Sequence, residues 1–319
     1  MKNIQQYLRA EMKQFEAFFT QHLHTKVSLL NWVLRYVLHA KGKQMRPMFV
    51  LLGAKTHREN LSESVYIAAT LVEYIHTATL VHDDVVDQAD LRRGIFSVRA
   101  IWQNKIAVLV GDFLLSKALI LAVEKKEFDL LQYVAQAVKE MSEGELLQLE
   151  KSRTSTLSEA DYLEIIRKKT AVLIATCLAM GACSAGADAS VCQDYYYIGQ
   201  EVGMAFQIQD DILDYQGGAG KAQGNDVQER KITLPFLCAV QDLPSSQQKT
   251  WLQRLKKKGK SNKEVKEILD FVLTEGTMRA AHLRDAYLQR ATQACAKIPE
   301  SPSKAMLLQL MDFVALRKN

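Results

Sequence analysis

Apolar side chains recur three and four residues apart in IQQYLRAEMKQFEAFFTQHL and again in VSLLNWVLRYVL, the spacing that lines one face of an α-helix. The same period predicts helices near 47–57, 62–89, 98–126, 128–151, 158–186 and 189–215. It continues near 227–240, 245–258, 262–274, 277–297 and 303–317. No sustained alternation of apolar and polar positions is bounded by hairpin turns, and only five prolines interrupt 319 residues, so no strand is expected. Helix starts are marked by Ser62 before Glu63, by Pro47 after KGKQMR, and by Ser158 ahead of Asp161, where TLSEADYL has an acidic first turn that suits the positive end of the helix dipole. GGAGKAQGND, Gly217 to Asp226, holds four glycines and is the clearest loop. Composition does not shift along the chain. The expected architecture is therefore one all-α domain over 1–319, with central helices apolar enough to be deeply buried.

The totals are compatible with that picture. Hydrophobic residues make up 48% and charged residues 24%, normal for a protein with a substantial core. Forty-one basic against thirty-six acidic side chains leave +5, too diffuse to indicate a nucleic-acid partner. One basic concentration stands out, RLKKKGKSNKEVK from Arg254 to Lys266; it reads as a solvated loop and helix start, with a membrane surface or nucleic acid as the alternative. The five cysteines lack metal-ligand spacing and lie mostly among apolar residues, as reduced thiols of a cytoplasmic protein do. MKNIQQYLRAEMKQ has no signal-peptide apolar run, and the most lipid-like segment, Ile174 to Ala187, is too short to span a bilayer.

Two acidic clusters break the apolar pattern. HTATLVHDDVVDQADLRRG contains Asp83, Asp84 and Asp87, and FQIQDDILDY contains Asp210, Asp211 and Asp214. In each DDxxD the outer aspartates stand on one helical face. Like charges at this spacing repel, and a multivalent cation relieves the repulsion. Oxygen ligands without cysteine favour Mg²⁺ or Mn²⁺ over Zn²⁺, and Mg²⁺ takes a few carboxylates, waters and phosphate oxygens. The clusters therefore point to a metal-bridged phosphorylated substrate. Cations follow nearby: Arg92 and Arg93 after the first cluster, Lys221 and Lys231 after the second, Lys43 and Arg46 in KGKQMRP, and Lys169 beside Thr170 in IIRKKTAVLIA. For any one of them a surface ion pair is the bland alternative. Together they exceed what metal-bound aspartates need, which suits two phosphorylated substrates.

The chain resembles the trans-isoprenyl diphosphate synthases from about Lys41 to Pro235, through HDDVVD with RRG, and through FQIQDDILDY with GKAQGND and KITLP. The resemblance implies an isoprenoid-synthase-type helical bundle around a central cavity. It implies that Asp83, Asp84 and Asp87 bind Mg²⁺ bridged to an allylic diphosphate, and that Asp210, with Asp211 and Asp214, binds a further Mg²⁺. Three Mg²⁺ are expected in all, with Mn²⁺ as a substitute. Arg92, Lys169, Lys221 and Lys231 match residues gripping the allylic diphosphate; Lys43, Arg46, His76 and Arg93 match those holding isopentenyl diphosphate. Thr170 and Gln207 match the pair lying along the developing carbocation. One departure is KGKQMRP where the family usually has GGKRxRP, so Gln44 replaces an arginine and Lys41 a glycine.

The resemblance also implies the reaction: the allylic C–O bond ionises, the double bond of isopentenyl diphosphate attacks the cation, and the released diphosphate removes a proton. Chain length is expected to be set along the first aspartate helix. In the family an aromatic residue four or five positions before the first aspartate stops growth. Here Thr79 and Ala78 stand there, with Ile75 beyond, so a long product of about C30 to C40 is expected, built on farnesyl or geranylgeranyl diphosphate for a quinone side chain. The bland reading is that Ala78 only permits close helix packing. A homodimer with peripheral membrane contact for product release is the expected assembly. The alternatives are a short-chain farnesyl or geranylgeranyl diphosphate synthase and a non-catalytic subunit of a heteromer. A terpene cyclase does not explain the paired clusters with KGKQMRP, and a di-iron bundle would need Glu-x-x-His pairs.

Overall fold

In a computed structural model the described residues are 1–39, 42–92, 94–154, 157–217 and 223–317. They are almost entirely helical, as the apolar period requires. By its internal contacts the chain divides into two compact units, each drawn from several segments. The first comprises Met1–Val138, Thr176–Tyr196 and Ile298–Leu307; the second comprises Lys139–Ala175, Tyr197–Lys297 and Leu308–Asn319.

The first unit is built on the helix Glu63–Val86, which buries a broad face, and on Val98–Glu124 packed beside it. Close approach is possible because Gly111 lacks a side chain: a Cβ there would lie 2.1 Å from His82 Nε2. Ser97 caps the second helix by accepting from the Ala100 amide at 3.1 Å. That helix is not continuous, as its apolar period suggests: Gln103 breaks it with φ 69° and ψ 167°, a region L-residues avoid. Between the two helices a hairpin pairs Leu91 with Phe96 and Arg92 with Ile95. The sequence pattern does not predict it, because strands of two residues are too short to show a period of two.

In the second unit a core of Tyr162, Ile166, Ala171, Met204, Ile208 and Ile212 joins the helices Glu159–Ile166 and Ala189–Gln216. The capping box expected at Ser158 is present: Ser158 Oγ accepts from the Asp161 amide at 3.1 Å, and the Asp161 carboxylate accepts from the Ser158 amide at 3.1 Å. The single helix expected over 158–186 is instead interrupted by a π-helical turn, Arg167–Ala171, before Val172–Ser184. The helix expected over 227–240 likewise divides, into Asn225–Gln228 and Leu234–Val240.

The long apolar surface differs from the sequence expectation. Ile174 to Ala182 is wholly buried, whereas Glu63–Val86 and Val98–Glu124 are long and apolar enough to cross a membrane by length and composition. Most of the apolar stretch of the first is enclosed by protein, while Val98–Glu124 keeps an exposed apolar face. The Arg254–Lys266 patch has the solvated character expected: Ser261 starts the helix Asn262–Glu275 with a capping box, and Lys257 pairs with Glu264. All five cysteines are thiols.

Candidate active site

Both acidic clusters occupy the final turns of long helices. Carboxylates there face the negative end of the helix dipole and need positive charge nearby. In the first cluster Asp83 is half-buried, Asp84 is 3% exposed and Asp87 is open to solvent. The Asp87 amide closes the last turn on the Asp83 carbonyl at 2.8 Å. The hairpin returns Arg92 to this end, where Nε donates to Asp84 Oδ1 at 2.7 Å and Nη2 lies 2.5 Å from the same oxygen. Burial raises the Asp84 carboxyl above its ordinary range, and the guanidinium opposes that shift.

Two residues matched to isopentenyl diphosphate binding meet in the same unit: Arg46 Nη1 lies 2.9 Å from His76 Nε2. Arg46 is in the first turns of the helix Met45–Lys55, whose cap Gln44 adopts a left-handed φ of 49°. Lys43 is exposed just before it. A cavity of about 80 Å³ is lined by His76, Asp84 and Arg92 together with Glu73, Tyr36 and Phe96. It joins a residue of each expected diphosphate site. Arg93 and Lys221 lie outside the described residues.

Along the same helix Ile75 and Ala78 are buried at 2% and 0% exposure. Thr79 is half-buried, and its hydroxyl donates to the His76 carbonyl at 2.9 Å. Ala78 is thus a close-packing position as well as a candidate for product length.

The second cluster is organised differently. Asp210 pairs with Arg317, whose Nη2 lies 2.6 Å from Oδ1. Asp211 is 5% exposed and accepts from Tyr162 OH at 2.6 Å and from Gln207 Nε2 at 2.9 Å. Asp214 accepts from the Asp226 amide at 3.0 Å. Burial, then the charge of Asp226, pushes Asp211 up to about 7. Burial, then Asp214, pushes Asp226 up to about 6. Gln207 Oε1 accepts from Thr170 Oγ1 at 2.9 Å, so the pair matched to carbocation contact is assembled. Lys169 pairs with Glu145 and donates to Gln148 Oε1 at 3.4 Å. Lys231 lies 2.5 Å from Glu229 and 3.8 Å from Asp226.

Tyr162, Asp226 and Arg317 were not singled out by sequence reasoning. Asp226 had a signal, as the last residue of the glycine loop after the second cluster. Tyr162 and Arg317 had none, because their partners are remote in the chain.

Among the described residues no three acidic, imidazole or thiolate side chains converge as a preformed metal cage. The chemistry of the donor set fits Mg²⁺ nonetheless: carboxylate oxygens, few in number, leave the remaining coordination to water and phosphate.

An all-helical fold with two DDxxD clusters at helix ends, each furnished with cations, defines the isoprenoid-synthase class. The chain belongs to the polyprenyl synthetase family, whose model matches residues 27–272. It is 32% identical to component 2 of heptaprenyl diphosphate synthase from Geobacillus stearothermophilus, over 99% of both chains. It is 31% identical to octaprenyl diphosphate synthase from Escherichia coli, again over 99% of both. Among solved structures, a polyprenyl synthase from Caulobacter crescentus complexed with calcium and isoprenyl diphosphate superimposes with a TM-score of 0.92 at 33% identity, covering 100% of this chain and 98% of that one. The protein is a prenyltransferase that condenses isopentenyl diphosphate onto an allylic diphosphate.

Proposed function

We propose that the protein is a long-chain trans-polyprenyl diphosphate synthase that extends farnesyl or geranylgeranyl diphosphate to about C30–C40, for use as a quinone side chain. The observation that carries the chain length is the absence of any aromatic residue at Thr79 and Ala78, one helical turn before Asp83. The names of relatives, heptaprenyl and octaprenyl diphosphate synthases, support the same range.

In this reading the site would hold Mg²⁺, three ions in all and replaceable by Mn²⁺, which when bound would supply positive charge to the departing diphosphate. Asp83, Asp84 and Asp87 would hold it at the first cluster, and Asp210, Asp211 and Asp214 at the second. Arg92, Lys169, Lys221 and Lys231 grip the allylic diphosphate. Lys43, Arg46, His76 and Arg93 hold isopentenyl diphosphate so that its double bond reaches the cation without a search for orientation. His76, beside Arg46, supplies a neutral or cationic donor to the same anion.

The active form is a homodimer. Val108, Leu109, Leu119, Ile120 and Val123 lie 40–54% exposed on Val98–Glu124, an apolar stripe of the kind a second copy covers. The curated relatives called component 2 take part in assemblies with more than one component by their name. The full set of aspartates here supports a chain that carries the chemistry itself. The protein is cytoplasmic, meeting the membrane only peripherally to release product.

The test is incubation of the purified protein with Mg²⁺, farnesyl diphosphate and labelled isopentenyl diphosphate. Label should enter a butanol-extractable polyprenyl product, and EDTA should abolish it. No elongation, with neither substrate bound, would overturn the reading.

A further inference from the structure

Four side chains of the second unit form a chain of hydrogen bonds whose direction is determined at one end. Asp211, as a carboxylate, only accepts, and its two oxygens are occupied separately: Oδ2 by Tyr162 OH at 2.6 Å, Oδ1 by Gln207 Nε2 at 2.9 Å. Turning the Gln207 amide over would set two acceptors 2.9 Å apart, so the amide must present its nitrogen to Asp211. Its Oε1 therefore faces Thr170, and the one hydroxyl proton of Thr170 is committed to it at 2.9 Å. Thr170 then retains only oxygen lone pairs, Gln207 Oε1 retains one beside it, and the second Gln207 N–H stays at the nitrogen end of the amide, the end turned to Asp211.

Burial separates the roles. Tyr162 and Asp211 are 4% and 5% exposed, while Thr170 and Gln207 are half-buried and keep an open side. The backbone holds Thr170 in register. It sits in the π-turn Arg167–Ala171, where the extra residue rotates the following side chains relative to an α-helix; such turns concentrate at functional sites. The turn is gripped by two glycines. A Cβ on Gly203 would lie 2.5 Å from Ala171 Cα, and one on Gly144 would lie 2.8 Å from Lys168 Cβ.

We infer that Tyr162 and Asp211 are positioning residues that set the hydrogen-bond polarity of the Thr170–Gln207 pair, so that oxygen lone pairs rather than N–H or O–H protons face the allylic cation. This rests on the proposed prenyl-transfer reading. Preorganised negative partial charge aimed at a developing cation stabilises it without reorganisation. Reversed polarity would aim positive ends at the same place. Tyr162 touches neither substrate nor metal in this account and acts only by fixing the Asp211 carboxylate plane that orders Gln207. Asp211, beside its share in the acidic cluster, anchors this chain through both oxygens.

Tyr162→Phe removes the phenol proton while keeping the ring in its core. Asp211→Asn replaces one acceptor oxygen by a donor and permits the reversed order. Each variant is compared with wild type for binding a diphosphate-bearing trialkylammonium analogue of the allylic cation and its neutral carbon isostere, by titration calorimetry with Mn²⁺. Both variants should lose roughly ten-fold in affinity for the ammonium analogue and little for the isostere, the size of one misdirected hydrogen bond to charge. In turnover kcat should fall by about ten-fold or more, with KM for both diphosphates within about two-fold. Equal loss for both analogues, no loss for either, or a raised KM at unchanged kcat would overturn the inference. A wild-type protein that elongates nothing and binds neither analogue would overturn the parent reading, and this one with it. A wild type that elongates normally beside an unaffected pair of variants would overturn this one alone.

Discussion

The two aspartate clusters share the spelling D-D-x-x-D and a place at the end of a long helix, yet they meet the same electrostatic problem by different means. In the first, the buried middle aspartate is matched by a full charge, with Arg92 placing two nitrogens on one oxygen of Asp84. In the second, the buried middle aspartate is matched by two neutral donors, Tyr162 and Gln207, and the arginine goes to the outer Asp210 instead. Charge pairing with Arg92 opposes the upward shift that burial imposes on Asp84. Neutral donors offset less of the desolvation, and with Asp226 nearby Asp211 rises to about 7. The lesson is that a repeated motif need not mean a repeated site: the first cluster is arranged as a charge balance, the second as an ordered hydrogen-bond chain.

The outer aspartates should break the comparison least and activity most. Asp83→Ala and Asp210→Ala are each expected to lower kcat/KM by about a thousand-fold or more, as loss of electrostatic stabilisation of a departing diphosphate does. Steady-state assays over a range of Mg²⁺ concentration check this; full recovery of either variant at high Mg²⁺ would confine its role to metal affinity.

A smaller and more discriminating effect comes from the glycines beside each cluster. A methyl at Gly203 meets backbone, 2.5 Å from Ala171 Cα, whereas a methyl at Gly111 meets the His82 ring, a half-buried side chain able to swing away. Gly203→Ala should cost about 2–3 kcal/mol and Gly111→Ala about 1 or less, within the usual range of overpacking. Denaturant melts of the two variants measure the difference, and equal costs would contradict the rigidity ascribed to the π-turn.

The smallest effect is a pH dependence carried mainly by the second cluster. Asp211 is raised from 3.8 to about 7 by burial and then Asp226, and Asp226 is raised to about 6 by burial and then Asp214. A carboxyl raised on folding favours the folded state fully below its unfolded pKa, and that contribution is lost as pH rises through the folded value. In EDTA the contribution of these groups to Tm should therefore fall by a few degrees between about pH 5 and pH 8. Asp211→Asn should flatten most of that slope, and Asp84→Asn, whose carboxyl burial also raises, should flatten it less. Metal binding should release protons over the same window; an unchanged slope in Asp211→Asn would contradict the assignment.

Much of this was legible in the sequence because helical period, acidic spacing and glycine loops are local signals. The helices, both clusters and the Arg46, His76, Thr170 and Gln207 candidates are read from windows of a few residues. What escaped depends on contacts between remote residues or on a single inserted residue. Tyr162 meets Asp211 from another helix, and Arg317 reaches Asp210 from the last described residue of the chain. The π-turn adds one residue to a helix, which a search at 3.6 residues per turn reads as continuous. The division into two units follows no composition change, since the chain passes between them repeatedly. Gln103 shows the converse: its strained φ lies within a run whose side chains alone call for unbroken helix.

The central claim is that small residues before the first cluster allow a long product. Mass spectrometry of the hydrolysed prenyl product, from farnesyl diphosphate with excess isopentenyl diphosphate and Mg²⁺, tests it directly. Thr79→Tyr serves as the paired variant because Thr79 is half-buried and Ala78 is fully enclosed. Wild type should end at about C30–C40 and Thr79→Tyr at a clearly shorter chain. A wild-type product stopping at C15 or C20, or the same length from both proteins, would contradict the account.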